Sequence, residues 1–205
     1  MNKNQLTNFI TKYTLGGEIK STKWTSNGDS LSTRFISGDK SVVGKVVLSK
    51  FSHLSPCELG VYNTGQLSSL LSVLGDDIDI NLSQSGDKFI SMEFEDTKRK
   101  TKSKYMLSDL SVIPTPPALK NLPDSFELGI KVDPYFINTF TSGKSALAEA
   151  ETFTILTEGG KTKIVIGYAS IASNRVTIPV ETTKNAEIEP ISFNANMFAS
   201  ILNAN

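Results

Sequence analysis

The chain has 205 residues, and its 21 basic and 21 acidic side chains give a formal net charge of zero at pH 7. This length allows one large or two small domains, each with a core of its own. The balanced charge argues against a protein that holds nucleic acid by charge alone, because such binding depends on neutralising many phosphates. The single cysteine, Cys57, excludes an internal disulfide and a cysteine-rich metal site. No apolar run approaches the roughly 20 residues of a membrane span, so an intracellular protein is expected.

Residues 1–111 are predicted to form a first domain that contains two helices and several strands. Apolar residues at positions 6, 9, 10 and 13 follow the helical period and predict a short amphipathic helix that ends at Gly16. Asn63 is placed to cap a second helix, and the leucines at 67, 70, 71 and 74 share its apolar face. The segments with strand and turn signals are 18–25, 30–36, 41–48, 58–62, 78–82, 89–95 and 105–110.

Residues 112–124 contain four prolines, a density that disfavours both helix and central strand. We therefore predict an extended connector between two domains. Its apolar residues have two compatible interpretations: they cover the adjacent sheet, or they line a groove for a peptide of a partner protein. The residues expected to line that groove are Val112, Ile113, Leu119 and Leu122.

Residues 125–205 are predicted to form a second domain that repeats the plan of the first. The stretches 60–74 and 190–204 resemble each other, and an offset of 131 aligns Asn63 on Asn194; residues 9–16 are matched by 136–143 at an offset of 127. Two matches at nearly one offset indicate an internal duplication. Asp133 followed by Pro134 predicts the start of a helix, and another helix is expected from Asn194. The predicted strands are 126–131, 151–157, 162–169, 175–181 and 188–193.

The two copies differ after the repeated helix. The first domain continues for about 35 residues in three strands, and the second has no such continuation. We therefore expect the second domain to lack its last three strands, so that it is incomplete at its C-terminal end.

No set of residues suited to catalysis is visible, so neither an enzymatic activity nor a cofactor is expected. The single histidine, His53, lies in a polar loop, and a nucleophile–histidine–acid arrangement would need it. The aspartates at 76, 77 and 79 lie where a helix ends and a strand begins, a usual place for turn aspartates, so no metal site is predicted. One strong charge cluster remains, and it is either the solvated tip of a hairpin or a phosphate-contacting site. Its members are Lys98, Arg99, Lys100, Lys102 and Lys104.

Residues 58–77, which read ELGVYNTGQLSSLLSVLGDD, resemble the strand, helix and acidic turn of the DNA sliding clamps of T-even-type bacteriophages. The second copy of the helix, at 191–203, has the same kind of residue pattern. The proliferating cell nuclear antigen of eukaryotes is a more distant resemblance. At the level of overall plan the resemblance covers all 205 residues. It implies an α+β fold of the DNA clamp type, in which two similar domains each pack two short helices on antiparallel sheets.

The resemblance implies a head-to-tail homotrimer that closes into a ring around duplex DNA without reading its sequence. Such a ring tethers the replicative DNA polymerase, depends on a clamp loader, and would act in the cytoplasm of an infected bacterial host. Because the helices of the family line the hole, Lys3, Lys12 and Lys144 are expected to face the DNA, together with the basic residues at 98–104. The other non-core helix positions are uncharged here, so phosphate contact is expected to be weak, mediated by water, or supplied by the basic residues at 98–104. If three strands are missing, we expect the protein to be monomeric or wrongly associated.

The alternative interpretation is a structural β-rich protein of a virion or its assembly, without a role on DNA. The duplication separates the two, because a clamp needs four equivalent helices on one face and a capsid or tail protein does not. An uncharacterised enzyme is a third interpretation, which the missing catalytic set disfavours.

Overall fold

A computed structural model describes residues 1–118, 123–169, 171 and 173–204 of the chain. Within these residues the protein is a mixed α+β structure with four α-helices and several antiparallel sheets. The chain divides into two compact units, Met1–Leu119 and Lys120–Asn203. No helix in the described part of the chain is long and apolar enough to cross a membrane.

Unit 1 packs two helices against a four-stranded sheet and adds a three-stranded sheet. The helices are α1 (Lys3–Thr14) and α2 (Thr64–Ser72). The strands are β1 (Thr22–Ser26), β2 (Ser30–Ile36), β3 (Val43–Ser49), β4 (Cys57–Val61), β5 (Ile78–Ser85), β6 (Lys88–Asp96) and β7 (Lys102–Met106). All pairings are antiparallel, in the orders β3–β2–β1–β4 and β5–β6–β7.

The core of unit 1 is centred on three aromatic side chains that join α1 to β1. Phe9 and Tyr13 lie on the same face of α1, and each meets the Trp24 ring edge-to-face, with centroids 5.5 Å and 6.4 Å away. The Trp24 indole N–H donates to the Tyr13 hydroxyl at 3.2 Å, and that hydroxyl donates to Thr64 at 3.4 Å. Burial raises the pKa of Tyr13 well above its usual range. The first turn of α2 is thereby connected to both α1 and the sheet.

Unit 2 packs two helices against a second four-stranded sheet. The helices are α3 (Pro134–Ala146) and α4 (Ala195–Asn203). The strands are β8 (Gly129–Ile130), β9 (Thr152–Glu158), β10 (Lys161–Ile166), β11 (Val176–Pro179), β12 (Thr182–Lys184) and β13 (Ile191–Asn194). The four-stranded sheet has the order β11–β10–β9–β13, and β12 pairs with β8. Its core is a cluster of phenylalanines, in which Phe198 of α4 lies 4.9 Å from Phe140 and 4.8 Å from Phe153 between ring centroids.

The same arrangement occurs in both units: a helix, a three-stranded antiparallel meander, a fourth strand that pairs with the first, and a second helix. The four predicted helices are confirmed, and the leucine face of α2 packs inward as expected. Leu67, Leu71 and Leu74 are buried, and Leu70 is half-buried. The repeat that the sequence indicates is therefore accompanied by a repeat of topology.

Some strand bounds differ from the prediction. β7 begins at Lys102 rather than at 105, because Ser103 and Tyr105 alternate inward between exposed lysines and continue the strand. The strand predicted at 126–131 is limited to Gly129–Ile130, and Thr182–Lys184, which was not predicted, is its partner. Short two-strand pairings of this kind carry too few apolar residues for a period to be recognised.

The two repeated helices begin with the same cap. The Asn63 side-chain oxygen accepts the backbone N–H of Gln66 at 3.0 Å, and that of Asn194 accepts the N–H of Met197 at 2.9 Å. Each bond satisfies one of the N–H groups that the first helical turn leaves without an intrahelical partner.

Replacing either cap with alanine is expected to lower the free energy of unfolding of its own unit by about 1 kcal/mol. The change is measured by urea denaturation of Asn63→Ala and Asn194→Ala, followed by circular dichroism. Aspartate at the same positions keeps the acceptor and provides the matched control. Alanine variants as stable as the aspartate variants would contradict the role of the caps.

Candidate functional site

The basic residues at 98–104 do not form a single turn. Lys98, Arg99 and Lys100 lie in the connection between β6 and β7, and Lys102 and Lys104 lie on β7 itself. The two strand lysines point to the exposed face, opposite the buried side chains of Ser103 and Tyr105. This surface, residues 98–104, is called the lysine cluster below.

Carboxylates of unit 1 surround the lysine cluster. Four ion pairs form, with nitrogen-to-oxygen distances between 2.9 and 3.4 Å: Lys98–Asp77, Lys100–Glu95, Lys102–Glu95 and Lys104–Glu93. The hydrogen bond and charge of Lys104 hold the pKa of Glu93 below its usual range, and Lys102 does the same for Glu95. Because these carboxylates remain ionised at neutral pH, they offset much of the positive potential that the sequence indicated.

Asp96, at the end of β6, holds the turn of the lysine cluster in place. One carboxylate oxygen accepts the backbone N–H groups of Lys98 and Arg99, each at 2.8 Å, and the other accepts the Gly75 N–H at 2.7 Å. The bond from Arg99 is the main cause that lowers the pKa of Asp96, with further bonds from Gly75 and Lys98. A Cβ atom at Gly75 would lie 2.4 Å from the carboxylate, so a glycine is needed there. Asp96 was not singled out from the sequence, although an aspartate just before a polar turn is a known signal.

Two of the helix lysines expected to face DNA are used to cap helix ends. The expectation for Lys144 is wrong: only 8% of the residue is exposed, and its ammonium donates to the Ala148 carbonyl at 2.8 Å, just beyond the end of α3. The half-buried Lys3 likewise donates to the carbonyl of Leu74, just after α2. The last carbonyls of a helix lack intrahelical partners and attract cations. Lys12, in contrast, is exposed on the last turn of α1.

The groove expected along the connector is not open at Ile113. This side chain is 3% exposed and packs near Gly60, whereas Val112 is 58% exposed. A short 3₁₀ turn, Leu110–Val112, directs the two side chains to opposite environments. Leu119 and Leu122 lie outside the described residues.

The part of the connector that the structure describes is tied to the four-stranded sheet of unit 1. Arg34 of β2 donates from one terminal nitrogen to the carbonyls of Pro116, at 2.9 Å, and Pro117. Lys23 of β1 donates to the Thr115 hydroxyl at 3.0 Å. A cavity of about 330 Å³ lies beside this segment, with Arg34, Phe35 and Pro116 among its lining residues. Proline contributes a carbonyl acceptor but no N–H donor, so this segment pairs with the sheet through side-chain donors.

The His53 ring packs edge-to-face on Phe51 at 5.4 Å between centroids. Over the described ranges, no group of three or more histidine, cysteine or acidic residues is arranged to hold a metal ion.

Asp96→Asn is expected to lower the melting temperature at pH 7, because an amide NH₂ would face backbone donors that the carboxylate now accepts. The pKa of Asp96 is lowered by folding, so its ionised form stabilises the fold above its unfolded pKa of about 4, and this contribution is lost as the pH falls through the folded value. The difference between the two proteins should therefore shrink in acid. Thermal melts across this pH range measure it, with exposed Asp87→Asn as the control. A difference that stays constant with pH would contradict this role.

Comparison with known proteins gives no family for this chain: no family model matches it, and no curated protein sequence matches it. Its function is therefore inferred from the geometry of its two units. That geometry consists of a repeated helix-and-sheet arrangement, a charge-balanced lysine cluster and a tethered connector.

Proposed function

We propose that this chain is a subunit of a DNA sliding clamp, a ring that encircles duplex DNA and tethers the replicative DNA polymerase. The repeated topology of the two units is the observation that carries the proposal. A ring that surrounds DNA evenly needs equivalent helices and equivalent sheets at regular intervals, which a repeated unit supplies. The expected homotrimer fits the outer strands β3 and β11, since an outer strand has backbone groups free to pair with another subunit.

The exposed faces of the helices support a ring that does not grip its DNA. Among the described residues of these faces, Lys12 is the basic side chain left without a helix-capping role, and short polar residues occupy most other positions. Several of their hydroxyls are already bonded to the carbonyl one turn earlier, for example Thr11 to Thr7, Ser69 to Gly65 and Ser145 to Thr141. Binding that depends on enclosure rather than on phosphate contact requires no strong positive surface.

The tethered connector supports the expected peptide contact with a polymerase. Arg34 and Lys23 hold an extended, proline-rich segment against the sheet, and the adjacent cavity has both apolar and cationic lining residues. Extended segments beside such cavities are a common site for partner peptides. The clamp loader is expected to be a further partner, as in the family that the sequence resembles.

A structural virion or assembly protein is the second candidate. The observation that favours it is the use of basic residues within unit 1 and unit 2: four lysines of the lysine cluster are ion-paired, and Lys3 and Lys144 cap helices. A protein without a role on DNA would have no need of free cations.

Retention on circular but not on linear DNA distinguishes a sliding clamp from a structural protein. A subunit that forms the proposed ring should assemble to three times its own mass by light scattering. When assembled from diluted subunits on nicked circular duplex DNA, it should remain bound through gel filtration at high salt. Cutting the circle with a restriction enzyme should release it, because an enclosing ring slides off a free end.

The control is the same plasmid made linear before assembly. Equal retention on circular and linear DNA would indicate ordinary binding and overturn the clamp proposal. Retention on neither form would favour the structural candidate.

The lysine cluster is expected to make a small contribution to DNA contact. Replacing Lys98, Arg99 and Lys100 with alanine should reduce the slope of log affinity against log salt by about 0.9 for each phosphate that is no longer neutralised, and so by about 3 or less. The slope is measured by fluorescence anisotropy on a short duplex. Alanines at Lys40, Lys45 and Lys50, exposed basic residues elsewhere in unit 1, change the net charge equally and are the control. An unchanged slope would exclude Lys98, Arg99 and Lys100 from DNA contact.

A further inference from the structure

Three basic side chains lie in one row across the four-stranded sheet of unit 1. Lys23 of β1 is directly opposite Arg34 of β2, and Arg34 is directly opposite Lys45 of β3. All three lie on the face away from the core, because the residues that alternate with them, such as Trp24 and Thr33, are buried. Neighbouring strands are about 5 Å apart, so these three residues, called the cation row below, extend over about 10 Å.

The cation row has no acidic partner in the part of the chain that the structure describes. None of the ion pairs between described residues includes one of its members. Lys23 donates to the Thr115 hydroxyl, and Arg34 donates to the carbonyls of Pro116 and Pro117, all of which are neutral. The Nε of Arg34 is buried and has no hydrogen-bond partner among the described residues. Since directly opposed like charges destabilise a strand pair, a negatively charged group at this surface would offset an existing cost.

The second sheet of unit 1 shows how the same unit balances charge on strands. Lys102 and Lys104 of β7 are directly opposite Glu95 and Glu93 of β6 and form ion pairs with them at 3.1 and 2.9 Å. Each strand lysine of that sheet thus has a carboxylate in register with it. The cation row follows the opposite pattern, because cation is opposed to cation.

The four-stranded sheet of unit 2 has no comparable row in its described strands. Lys163 of β10 lies opposite Leu156 and Pro179 rather than opposite other cations. Its ammonium pairs with the carboxylate of Glu158. The unbalanced surface therefore belongs to the unit whose sheet holds the connector.

An open cavity of about 330 Å³ adjoins the cation row where the connector passes Arg34. All of its described lining residues belong to unit 1; Lys20 and Arg34 among them are basic, and Glu18 is acidic. Lys20 is exposed and forms no ion pair with a described residue. Asp39, in the turn after β2, accepts the hydroxyls of the neighbouring turn serines. Cavity and row together form a positively charged recess at the lower end of the size range of ligand pockets.

We propose that this recess binds an acidic, partly apolar peptide segment of a partner protein. Aspartate or glutamate side chains of the segment lie against the cation row and Lys20, because carboxylates form strong, charge-assisted hydrogen bonds with arginine and lysine. An apolar side chain beside them packs on Ile36 and Pro116, which also line the cavity. The inference rests on the peptide contact proposed above for the connector, and it adds the chemistry that the peptide must have.

The dimensions of the recess favour a peptide over nucleic acid. A duplex contacts its protein through many phosphates and needs an extended positive surface. The cation row is about 10 Å long, and residues 115–117 of the connector are bonded to two of its three members. A short segment with one or two carboxylates fits such a surface.

The probe is a pair of synthetic peptides that differ in charge alone. Residues 76–82 of the chain, DDIDINL, combine three aspartates with apolar residues, and NNININL is the matched control with asparagine at each aspartate. Each peptide carries fluorescein, is titrated with the full chain in the absence of DNA, and is followed by anisotropy. DDIDINL should bind saturably, and NNININL should bind about tenfold more weakly because it lacks the charge-assisted bonds. Binding of DDIDINL should weaken as the salt concentration rises.

Charge reversals locate the site. Lys20→Glu with Lys45→Glu changes two exposed residues and should weaken binding of DDIDINL about tenfold. Lys12→Glu with Lys161→Glu changes the net charge equally at exposed positions elsewhere and should leave binding unchanged. In nitrogen–proton correlation spectra, the Arg34 Nε–H signal, identified by its absence from Arg34→Lys, should shift with DDIDINL and not with NNININL.

Four outcomes would overturn the proposal. The first three are the absence of saturable binding by DDIDINL, equal affinity for the two peptides, and equal affinity of the two double variants for DDIDINL. The fourth is a short DNA duplex that displaces the peptide and is itself weakened by Lys20→Glu with Lys45→Glu, since the recess would then bind phosphates. Peptide binding without retention on circular DNA would refute the ring and keep the recess, whereas retention without peptide binding would refute the recess alone.

Discussion

The burial of α1 against β1 is the constraint on which the rest of unit 1 depends. Burial of Tyr13 without a partner for its hydroxyl would cost about 1–3 kcal/mol, which is comparable to what the burial of its ring contributes. The Trp24 N–H and the Thr64 hydroxyl supply that partner, and Thr64 is itself fixed by the Lys20 carbonyl at 3.1 Å. A satisfied polar network of this kind specifies one arrangement of α1, α2 and the sheet, where apolar packing alone would allow several. Unit 2 reaches the same topology with a cluster of phenylalanines, several of which meet edge-to-face, so the repeat preserves geometry while its core chemistry differs.

Most of the charged side chains described above bind partners within their own unit. Lysines cap the ends of helices, and carboxylates accompany the lysine cluster, so charge is balanced by near neighbours at these places. Asp96 illustrates the same pattern, because one carboxylate organises the end of α2 and the turn after β6 together. The proposed clamp function is consistent with such a surface, since a ring that encloses its substrate depends on closure and not on attraction.

Much of the fold could be predicted from the sequence, because the helical period of α1 and the leucine spacing of α2 are unambiguous and asparagine caps mark both repeated helices. The roles of individual side chains were harder to predict from the sequence. Lys144 lies in the last turn of α3, where a lysine can either extend into solvent or fold back onto free carbonyls, and burial by neighbours decides between the two. The sequence predicts one turn for the whole lysine cluster, because its charges hide the alternation of Ser103 and Tyr105.

The back-bonded hydroxyls of the helix faces have a consequence for motion along them. Each Ser or Thr that donates to its own helix, such as Thr11, Ser69 or Thr139, has no proton left to offer to a passing oxygen. In the proposed clamp, a polyanion that shifted by one phosphate would therefore exchange one hydration shell for a similar one and would give up no bond to these hydroxyls. Along such a surface the free energy varies little with position, so displacement meets low friction. Hydroxyl groups that donate to their own helix thus leave a surface that is polar and hydrated but has few hydrogen-bond donors for a polyanion.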